Sequence, residues 1–243
     1  MRLALLRCQR MDPSRRASLT RPVLIEAARR LLNEVGLDGL TVRRLAAELG
    51  VQSPALYWHI RTKQELLDGV ADAIVLAAGM GPPRAGETWR DWLLRRARAY
   101  RAALVAHRDG ARVVANARLG PTTLRHFDDE LTAMVEHGFS PALALRTIAA
   151  VTQYVNGFVL QEQAQRQNRT EEAPADPLGG LAALLDGGPT ATLVVAIREA
   201  GIGLHDDAFE HGLAMLMDGT AAALARRSGP DARTGPGRAD GRT

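Results

Sequence analysis

The sequence predicts an all-α protein with a small N-terminal head of three helices and a larger helical C-terminal domain. Residues 41–63 show two short stretches of helical apolar spacing joined by a tight turn. From residue 84 onward apolar residues again recur at helical spacing, and no alternating run is long enough to predict a strand. The 243 residues, of which 46% are hydrophobic, are enough for the cores of one or two ordinary domains.

The first helix of the head is predicted to run from about Pro22 to Val35. Gly36 is expected to end it, because glycine adopts the left-handed conformation that closes many helices. Its apolar side chains share one face, which comprises Val23, Leu24, Ala27, Ala28, Leu31, Leu32 and Val35.

Two short helices follow. Thr41 is predicted to cap the first of them and Gly50 to end it. Ser53 is predicted to cap the second, with Pro54 at its first position, where the missing N–H costs nothing. The apolar positions of the first short helix are Val42, Leu45, Ala46 and Leu49.

The second short helix leads into the large side chains of Tyr57, Trp58 and His59, with Lys63 just beyond. A helix–turn–helix protein lays its second helix in the major groove of DNA, where residues near the N-terminus of that helix meet base edges. An ordinary pair of core helices is the alternative, but such a pair would not place so many polar and aromatic residues in succession. The segment therefore predicts a DNA-binding head.

The charge distribution agrees with this interpretation. Residues 1–70 carry 12 Arg and Lys against 7 Asp and Glu, a net charge of +5, whereas the remaining 173 residues carry 19 against 20, a net charge of −1. A basic first third joined to a neutral remainder is typical of a nucleic-acid-binding domain attached to a domain that binds something else.

A fourth helix, from Leu66 to about Ala78, is predicted to connect the two domains after a capping box at residues 62–65. The Gly- and Pro-rich residues 79–83 mark the boundary. We expect a helix–turn–helix domain with its connecting helix at 19–80 and a helical domain at 84–227. Residues 1–18 are expected to be a disordered basic arm, which either contacts DNA or is a simple tail, and residues 228–243 a disordered tail.

The second domain is predicted to contain six helices and a variable loop. Thr88 caps the first of these helices, whose stripe includes Trp89, Leu93, Ala97, Tyr100 and Leu104. A loop is predicted at 168–189, and the other helices at about 110–118, 121–137, 141–167, 190–200 and 206–227.

Cysteine content and hydropathy favour a cytoplasmic protein. Cys8 is the single cysteine, so no internal disulfide forms. No segment is expected to provide the roughly 20 apolar residues of a membrane span, and the apolar start of the chain is too short for a signal peptide.

Several stretches resemble the tetracycline-repressor family over roughly Leu19 to Arg166. The DNA-binding domain of that family is similar to Leu40-Thr41-Val42-Arg43-Arg44-Leu45-Ala46, Gly50-Val51 and Leu56-Tyr57-Trp58-His59. The ligand-binding half of the tetracycline repressor is similar to Gly86-Glu87-Thr88-Trp89, His107-Arg108-Asp109-Gly110-Ala111, Gly138-Phe139-Ser140 and Gly157-Phe158-Val159-Leu160. The resemblance implies a homodimeric repressor that a small-molecule effector releases from a palindromic operator.

The resemblance also implies roles for residues of the head. Arg43 matches a base-contacting arginine, a residue suited to bidentate contact with guanine. Ser53, Pro54 and Ala55 match the positions where the second helix meets base edges. The positions that grip the phosphate backbone are matched by Thr41, Tyr57, Trp58, His59 and Lys63, although Tyr57 and Trp58 are equally compatible with packing inside the head.

For the second domain the resemblance implies a ligand cavity that lacks the magnesium site of the tetracycline repressor. The metal-ligating histidine falls at Val114, and the glutamate that contacts the metal's water shell from the second subunit falls at Gln161. A histidine and an asparagine that hold the drug fall at Gly79 and Arg96. Since magnesium requires oxygen ligands, we expect no metal site and an effector other than tetracycline–magnesium, with Arg96 and Arg118 favouring an anionic or carbonyl-rich ligand. The expected lining is Arg96, Tyr100, Val114, Arg118, Phe127, Glu130, Met134, Ile148 and Gln161.

Apolar stripes on the longest and the last helix are expected to form a four-helix bundle with a second copy of the chain; internal core is the alternative. The stripes comprise Leu145, Ile148, Val151, Val155, Phe158 and Val159 on one helix and Phe209, Leu213, Leu216, Met217 and Leu224 on the other.

Two further functional hypotheses compete with a ligand-responsive repressor. An enzyme is disfavoured because the sequence has no Gly-x-Ser-x-Gly elbow, phosphate loop, dinucleotide fingerprint or His-Glu-x-x-His; residues 107–109, His-Arg-Asp, are interpreted as a structural hinge. We therefore expect no catalytic residue and no cofactor. A DNA-binding dimer with a collapsed cavity and no effector is the other hypothesis.

Overall fold

The computed structural model describes residues 19–168, 177–185, 188–201 and 206–228. Within these residues the chain is helical and has no strand, as the sequence predicts. The predicted N-terminal arm and the tail beyond residue 228 lie outside the described residues. The helices are α1 (Arg21–Gly39), α2 (Val42–Glu48), α3 (Ser53–Leu56), α4 (Lys63–Ala77), α5 (Trp89–Val105), α6 (Gly110–Ala115), α7 (Pro121–Glu136), α8 (Pro141–Asn168), α9 (Pro177–Leu184), α10 (Thr192–Ala200) and α11 (Asp206–Ser228).

Helix α1 packs against α2 and α4 and supplies most of the core of the head. Leu24, Ala28 and Leu32 are fully buried on its inner face. Gly36 interrupts the helix with φ 73° and ψ 175°, a conformation that side-chain-bearing residues rarely adopt. The predicted end of the first helix at Gly36 is therefore confirmed as a break, after which a last helical turn follows.

The turn between α2 and α3 follows the predicted pattern with one shift. Thr41 caps α2, since its Oγ1 accepts a hydrogen bond from the Arg44 N–H at 3.2 Å, and Gly50 has a left-handed φ of 64°. The prediction that Ser53 caps α3 is wrong by one residue. Gln52 takes the extended cap conformation and its carbonyl accepts from the Ala55 N–H at 2.9 Å, so Pro54 is the second helical residue.

Helix α4 starts at a modified capping box. Thr62 Oγ1 accepts from the Glu65 N–H at 3.0 Å, whereas the Glu65 carboxylate accepts from the Arg61 N–H at 2.8 Å instead of from the cap residue itself. The helix then packs against α1 on one side and α5, α6 and α7 on the other. It is therefore shared between the head and the larger helical body.

The body is a bundle in which α8 packs against α5, α6, α7 and α11. By length and composition alone, residues 141–166 of α8 reach the level of a membrane span, contrary to the expectation from sequence. A core helix of a water-soluble protein meets the same criterion, and α8 has the packing of such a helix.

The stripes predicted to join two chains lie mostly inside one chain, so that prediction is wrong for these residues. Ile148, Val155 and Phe209 are at most 1% exposed, and the Tyr154 and Phe209 rings stack at 5.6 Å between centroids. The apolar face of α8 meets that of α11, which helical periodicity alone does not reveal. Other buried members of the stripes are Val151, Phe158, Val159, Leu213 and Met217.

The predicted loop at 168–189 is partly helical. Residues 177–184 form α9, which packs with α10 and with a 3-10 turn at Gly188–Thr190. The short apolar island in this segment offers too few residues to establish a helical period from sequence. The rest of the predicted loop, residues 169–176 and 186–187, lies outside the described residues.

Candidate DNA-binding surface and ligand cavity

The segment after α3 presents two aromatic side chains to solvent. Trp58 is 88% exposed and Tyr57 51%, whereas Leu56 and Ile60 on either side are buried in the core of the head. These flanking residues anchor the segment, so the aromatic side chains project from a fixed backbone. Tyr57 and Trp58 are therefore not packed inside the head, which was the alternative role for them.

The basic residues of this surface are exposed as well. Arg43 on α2 and Lys63 at the start of α4 are both exposed. Within the described part of the chain, neither side chain has a hydrogen-bond or ion-pair partner. Arg44, by contrast, is held by the carbonyl oxygen of Gly39 at 3.3 Å. Of the other residues assigned to the DNA-binding surface, Thr41 and Pro54 are exposed, while Ser53, Ala55 and His59 are half-buried.

Two carboxylates of α4 fasten the head to the body. Asp72 accepts hydrogen bonds from the Gly120 N–H at 2.9 Å and from Thr123 Oγ1 at 2.8 Å. Asp68 accepts from the Arg118 N–H at 3.0 Å. The segment that joins α6 to α7 is thereby tied to the middle of α4.

A second joint connects the end of α1 to the start of α6. The Asp109 carboxylate, which is 4% exposed, accepts from the Leu37 N–H at 2.8 Å just after the break at Gly36. Asn33 Oδ1 accepts from the Arg108 N–H at 3.1 Å and lies 3.3 Å from His107 Nδ1. Burial lowers the pKa of His107, which favours the neutral imidazole at this joint. Residues 107–109 therefore form an interdomain joint, in keeping with the structural role predicted for them.

The body contains a cavity of about 190 Å³ between α4, α5, α6, α7 and α8. Four of the nine residues predicted to line it, Arg96, Tyr100, Val114 and Phe127, are in its wall. The complete lining is Val75, Ala78, Met80, Arg96, Tyr100, Val114, Ala115, Ala117, Leu119, Phe127, Thr152 and Asn156.

The other five predicted residues lie elsewhere. Glu130, Met134 and Ile148 are fully buried in the protein core, while Arg118 and Gln161 are exposed; none of the five is among the lining residues.

Two polar lining residues, Thr152 and Asn156, were not among the sequence-based candidates. They follow Ile148 along α8 at steps of four residues, so extending the face that carries Ile148 identifies them.

A buried ion pair lies at the edge of the cavity. Arg96 Nε is 2.9 Å from Glu130 Oε2, and the two side chains are 8% and 0% exposed. Glu130 Oε1 also accepts from the Gly81 N–H at 3.2 Å. Burial raises the pKa of Glu130, against the opposing effect of the Arg96 charge. The positive charge that the sequence offers to an anionic ligand is therefore already balanced by a carboxylate.

At the four positions where the resemblance predicts that polar contacts of the tetracycline repressor are missing, the described residues supply no other set of metal ligands. Val114 presents an apolar side chain to the cavity, Gln161 is exposed, and Gly79 has a left-handed φ of 70°. Among the residues that the structure describes, no three His, Cys, Asp or Glu side chains converge as metal ligands do.

One helix joins an exposed helix–turn–helix surface to a domain with an internal cavity. This arrangement defines a class of protein, the DNA-binding regulators that have a small-molecule-binding domain. Family models match both parts of the chain. Residues 24–70 match bacterial regulatory proteins of the tetR family, and residues 82–224 match the tetracyclin repressor-like C-terminal domain. The chain therefore belongs to the tetR family; it is a DNA-binding transcriptional regulator and not an enzyme.

Individual relatives agree with the family. The chain is 43% identical over 205 residues to the class A tetracycline repressor protein from transposon 1721 of Escherichia coli, which covers 82% of this chain and 88% of the relative. A solved structure of TetR (class A) with 5a,6-anhydrotetracycline and magnesium is 38% identical, with a TM-score of 0.63, and covers 84% of this chain and 99% of that one. Apo ActR from Streptomyces coelicolor is 28% identical, with a TM-score of 0.73, over 86% of this chain and 98% of that one.

Proposed function

We propose that this chain is a homodimeric cytoplasmic repressor that binds a palindromic operator and is released by a small-molecule effector without magnesium. One observation carries the proposal. Helix α4 starts beside the exposed DNA-binding surface, and Val75 and Ala78 near its other end line the cavity. A ligand in the cavity therefore touches the same helix that orients the head.

The proposed DNA contacts divide between bases and phosphates. Arg43 and the start of α3, residues 53–55, contact base edges, while Tyr57, Trp58 and Lys63 hold the phosphate backbone. Thr41 and His59 complete the backbone contacts. A symmetric dimer then requires half-sites about one helical turn, roughly 34–36 Å, apart. The resemblance places Ser53 and Ala55 where the tetracycline repressor has glutamine and threonine, so we expect this chain to prefer a different operator.

The proposed dimer uses the faces of α8 and α11 that their mutual contact leaves uncovered. Leu145 on α8 is 54% exposed and Met215 on α11 is 63% exposed. A second copy packed on these faces gives a four-helix bundle, the usual way to cover two antiparallel apolar surfaces at once. In this division residues 19–80 form the DNA-binding domain and residues 84–227 the ligand-binding and dimerisation domain.

Independence from magnesium follows from the cavity chemistry. Magnesium is present in the solved structure of the class A repressor, which is a different protein from this chain. In this chain the cavity wall has Val114 at the position of the metal-ligating histidine, and a valine side chain offers no ligand atom. Gln161 replaces the glutamate that contacts the metal's water shell from the second subunit. The effector must therefore be held by protein groups directly.

The proposal is tested by operator release. The operator is first located by genomic footprinting, and release by candidate ligands is then followed by fluorescence anisotropy with and without EDTA. We expect release to be unaffected by chelation. Strict dependence on a divalent ion, with tetracycline itself as a tight inducer, contradicts the proposal.

An effector-independent DNA-binding dimer is the second candidate. Its cavity is expected to be collapsed, whereas about 190 Å³ is open here, which favours a ligand-responsive protein. The two functions are separated by a Val114→Trp variant that fills the cavity: it abolishes release only if a ligand acts there.

A further inference from the structure

The cavity has one polar wall, formed where α5 and α8 face each other. Arg96 and Tyr100 lie one turn apart on α5, and Thr152 and Asn156 lie one turn apart on α8; all four line the cavity. Residues four apart on a helix share a face, and the two helices pack together. The remaining lining residues are apolar, so a bound molecule meets polar groups along one edge only.

The polar groups that remain free on this wall are hydrogen-bond donors. Arg96 uses Nε for Glu130, and its two terminal nitrogens have no hydrogen-bond partner in the described part of the chain. Tyr100 OH donates to Asn156 Oδ1 at 3.0 Å. Burial raises the pKa of Tyr100, so this phenol keeps its proton. The Asn156 NH2 group has no hydrogen-bond partner among the described residues and is available to donate.

Thr152 adds an independent sign that the cavity is built for a ligand. Its Oγ1 is buried and has no hydrogen-bond partner in the described residues. Buried polar atoms in folded proteins are nearly always paired, and an unpaired one requires a reason. A ligand oxygen that accepts from this hydroxyl supplies the missing partner.

The charge of the cavity argues against an anionic ligand. Arg96 is the one charged residue among those that line it, and Glu130 beside it is fully buried. A ligand carboxylate at Arg96 comes close to the Glu130 carboxylate, and like charges in a buried site repel strongly. A neutral oxygen accepts from the same guanidinium without that penalty.

We propose that the cavity binds a neutral ring compound with one or more carbonyl oxygens along one edge, held by Arg96, Thr152 and Asn156. This assignment rests on the proposed function only in that the bound molecule is the effector. The apolar side of the cavity receives the rings, and the donors receive the carbonyl. A hydrocarbon of the same shape leaves those donors buried and unpaired, which disfavours it.

Three probes of nearly equal shape test the proposal in the absence of DNA: 2-acetonaphthone, 2-ethylnaphthalene and 2-naphthoate. Binding to the full chain is measured by isothermal titration calorimetry. We expect the ketone to bind about tenfold more tightly than the hydrocarbon, the difference expected for one well-made hydrogen bond to a buried donor. We expect it to bind more tightly than the carboxylate as well.

Two variants separate the hydrogen bond from the charge. Thr152→Val keeps the shape and removes the hydroxyl, so the preference for the ketone over the hydrocarbon should shrink several-fold; Thr122→Val, at an exposed threonine outside the cavity, is the matched control. Glu130→Gln leaves the Arg96 charge unbalanced, so 2-naphthoate should overtake the ketone. Because this change is in the core and can destabilise the fold, the Thr152→Val result stands on its own.

Tighter binding of 2-naphthoate or of 2-ethylnaphthalene than of the ketone to the unmodified protein overturns the proposal. So does failure of all three probes to bind a protein that still unfolds cooperatively. Operator binding is absent from these measurements. If the protein is a regulator that responds to a different class of molecule, the probes will not show the expected preference, but a ligand will still release the protein from its operator. The two proposals can therefore fail separately.

Discussion

Asp109 is predicted to make a large contribution to the contact between the head and the body through its carboxylate. It accepts from the Leu37 N–H at 2.8 Å and pairs with Arg112 at 3.1 Å, and its backbone has a left-handed φ of 57°. Replacing it with alanine removes a hydrogen bond to a charged acceptor, about 1.5–3 kcal/mol. Placing alanine in the left-handed region adds about 1 kcal/mol. Asp109→Ala should therefore lower the free energy of unfolding by about 2.5–4 kcal/mol.

Asp109→Asn is the matched control. Asparagine tolerates the left-handed conformation, and its amide oxygen still accepts from Leu37. It loses the ion pair with Arg112, whose side chain is 41% exposed, and such a partly exposed pair contributes at most about 1 kcal/mol. The two variants should therefore differ by about 2 kcal/mol.

The measurement is urea unfolding followed by circular dichroism, at one fixed protein concentration because the proposed dimerisation would make apparent stability depend on concentration. A Gly36→Ala variant completes the design, since its new Cβ would lie 2.9 Å from Asp109 Oδ2. The part of its effect that comes from disturbing the same carboxylate should not add to that of Asp109→Ala, whereas the backbone strain of a side chain at the positive φ of Gly36 should add in full. Equal loss of stability in the alanine and asparagine variants would refute the reasoning.

Three further predictions concern DNA binding, assembly and pH. Arg43→Ala should cost about 1–3 kcal/mol at one base pair of the operator, whereas Lys63→Ala should weaken all sequences alike and reduce the salt slope by about 0.9; anisotropy with base-pair variants of the operator distinguishes them. Met215→Arg should yield monomers in size-exclusion chromatography with light scattering while the helix content is retained. Glu87 has its pKa lowered to about 2 from an ordinary 4.5 by the hydrogen bond from Arg95. Its stabilising contribution should therefore be complete above pH 4.5 and lost between pH 4.5 and 2, and Glu87→Gln should flatten acid unfolding curves in that window.

Local signals in the sequence were enough for most helices of the described residues, although they misplaced the cap of α3 by one residue and missed α9. Thr41, Thr62 and Thr88 each cap the helix predicted for them, because capping depends on residues three apart in the chain. What faces an apolar stripe depends on distant residues. Periodicity marks Val155 and Phe209 as apolar, but only the packed structure shows that α8 and α11 cover each other.

For the cavity, too, the sequence predicts some features and only the packed structure shows the others. Its position follows from family resemblance, and four of its predicted lining residues are in the wall. Its charge balance depends on Arg96 and Glu130, which are 34 residues apart. The sequence predicts an anionic or a carbonyl-rich ligand at Arg96, and the ion pair with Glu130 is our reason for proposing the carbonyl-bearing one. No local pattern in the sequence reports such a pair.

The proposed release from DNA requires the cavity and the head to move together, and the contacts of α4 provide the link. A ligand shifts the protein off its operator only if it binds the DNA-incompetent arrangement more tightly. Ala117 and Leu119 line the cavity, and the residues next to them are hydrogen-bonded to Asp68 and Asp72 in the middle of α4.

The length of α4 sets how far a small rotation moves the head. The helix has 15 residues, or about 22 Å at 1.5 Å per residue. A rotation of roughly 5° at the cavity end therefore displaces the head end by about 2 Å. In a symmetric dimer the two displacements are opposite in direction, so the spacing between the heads changes by roughly twice that distance, which is enough to break hydrogen bonds to base edges in at least one half-site.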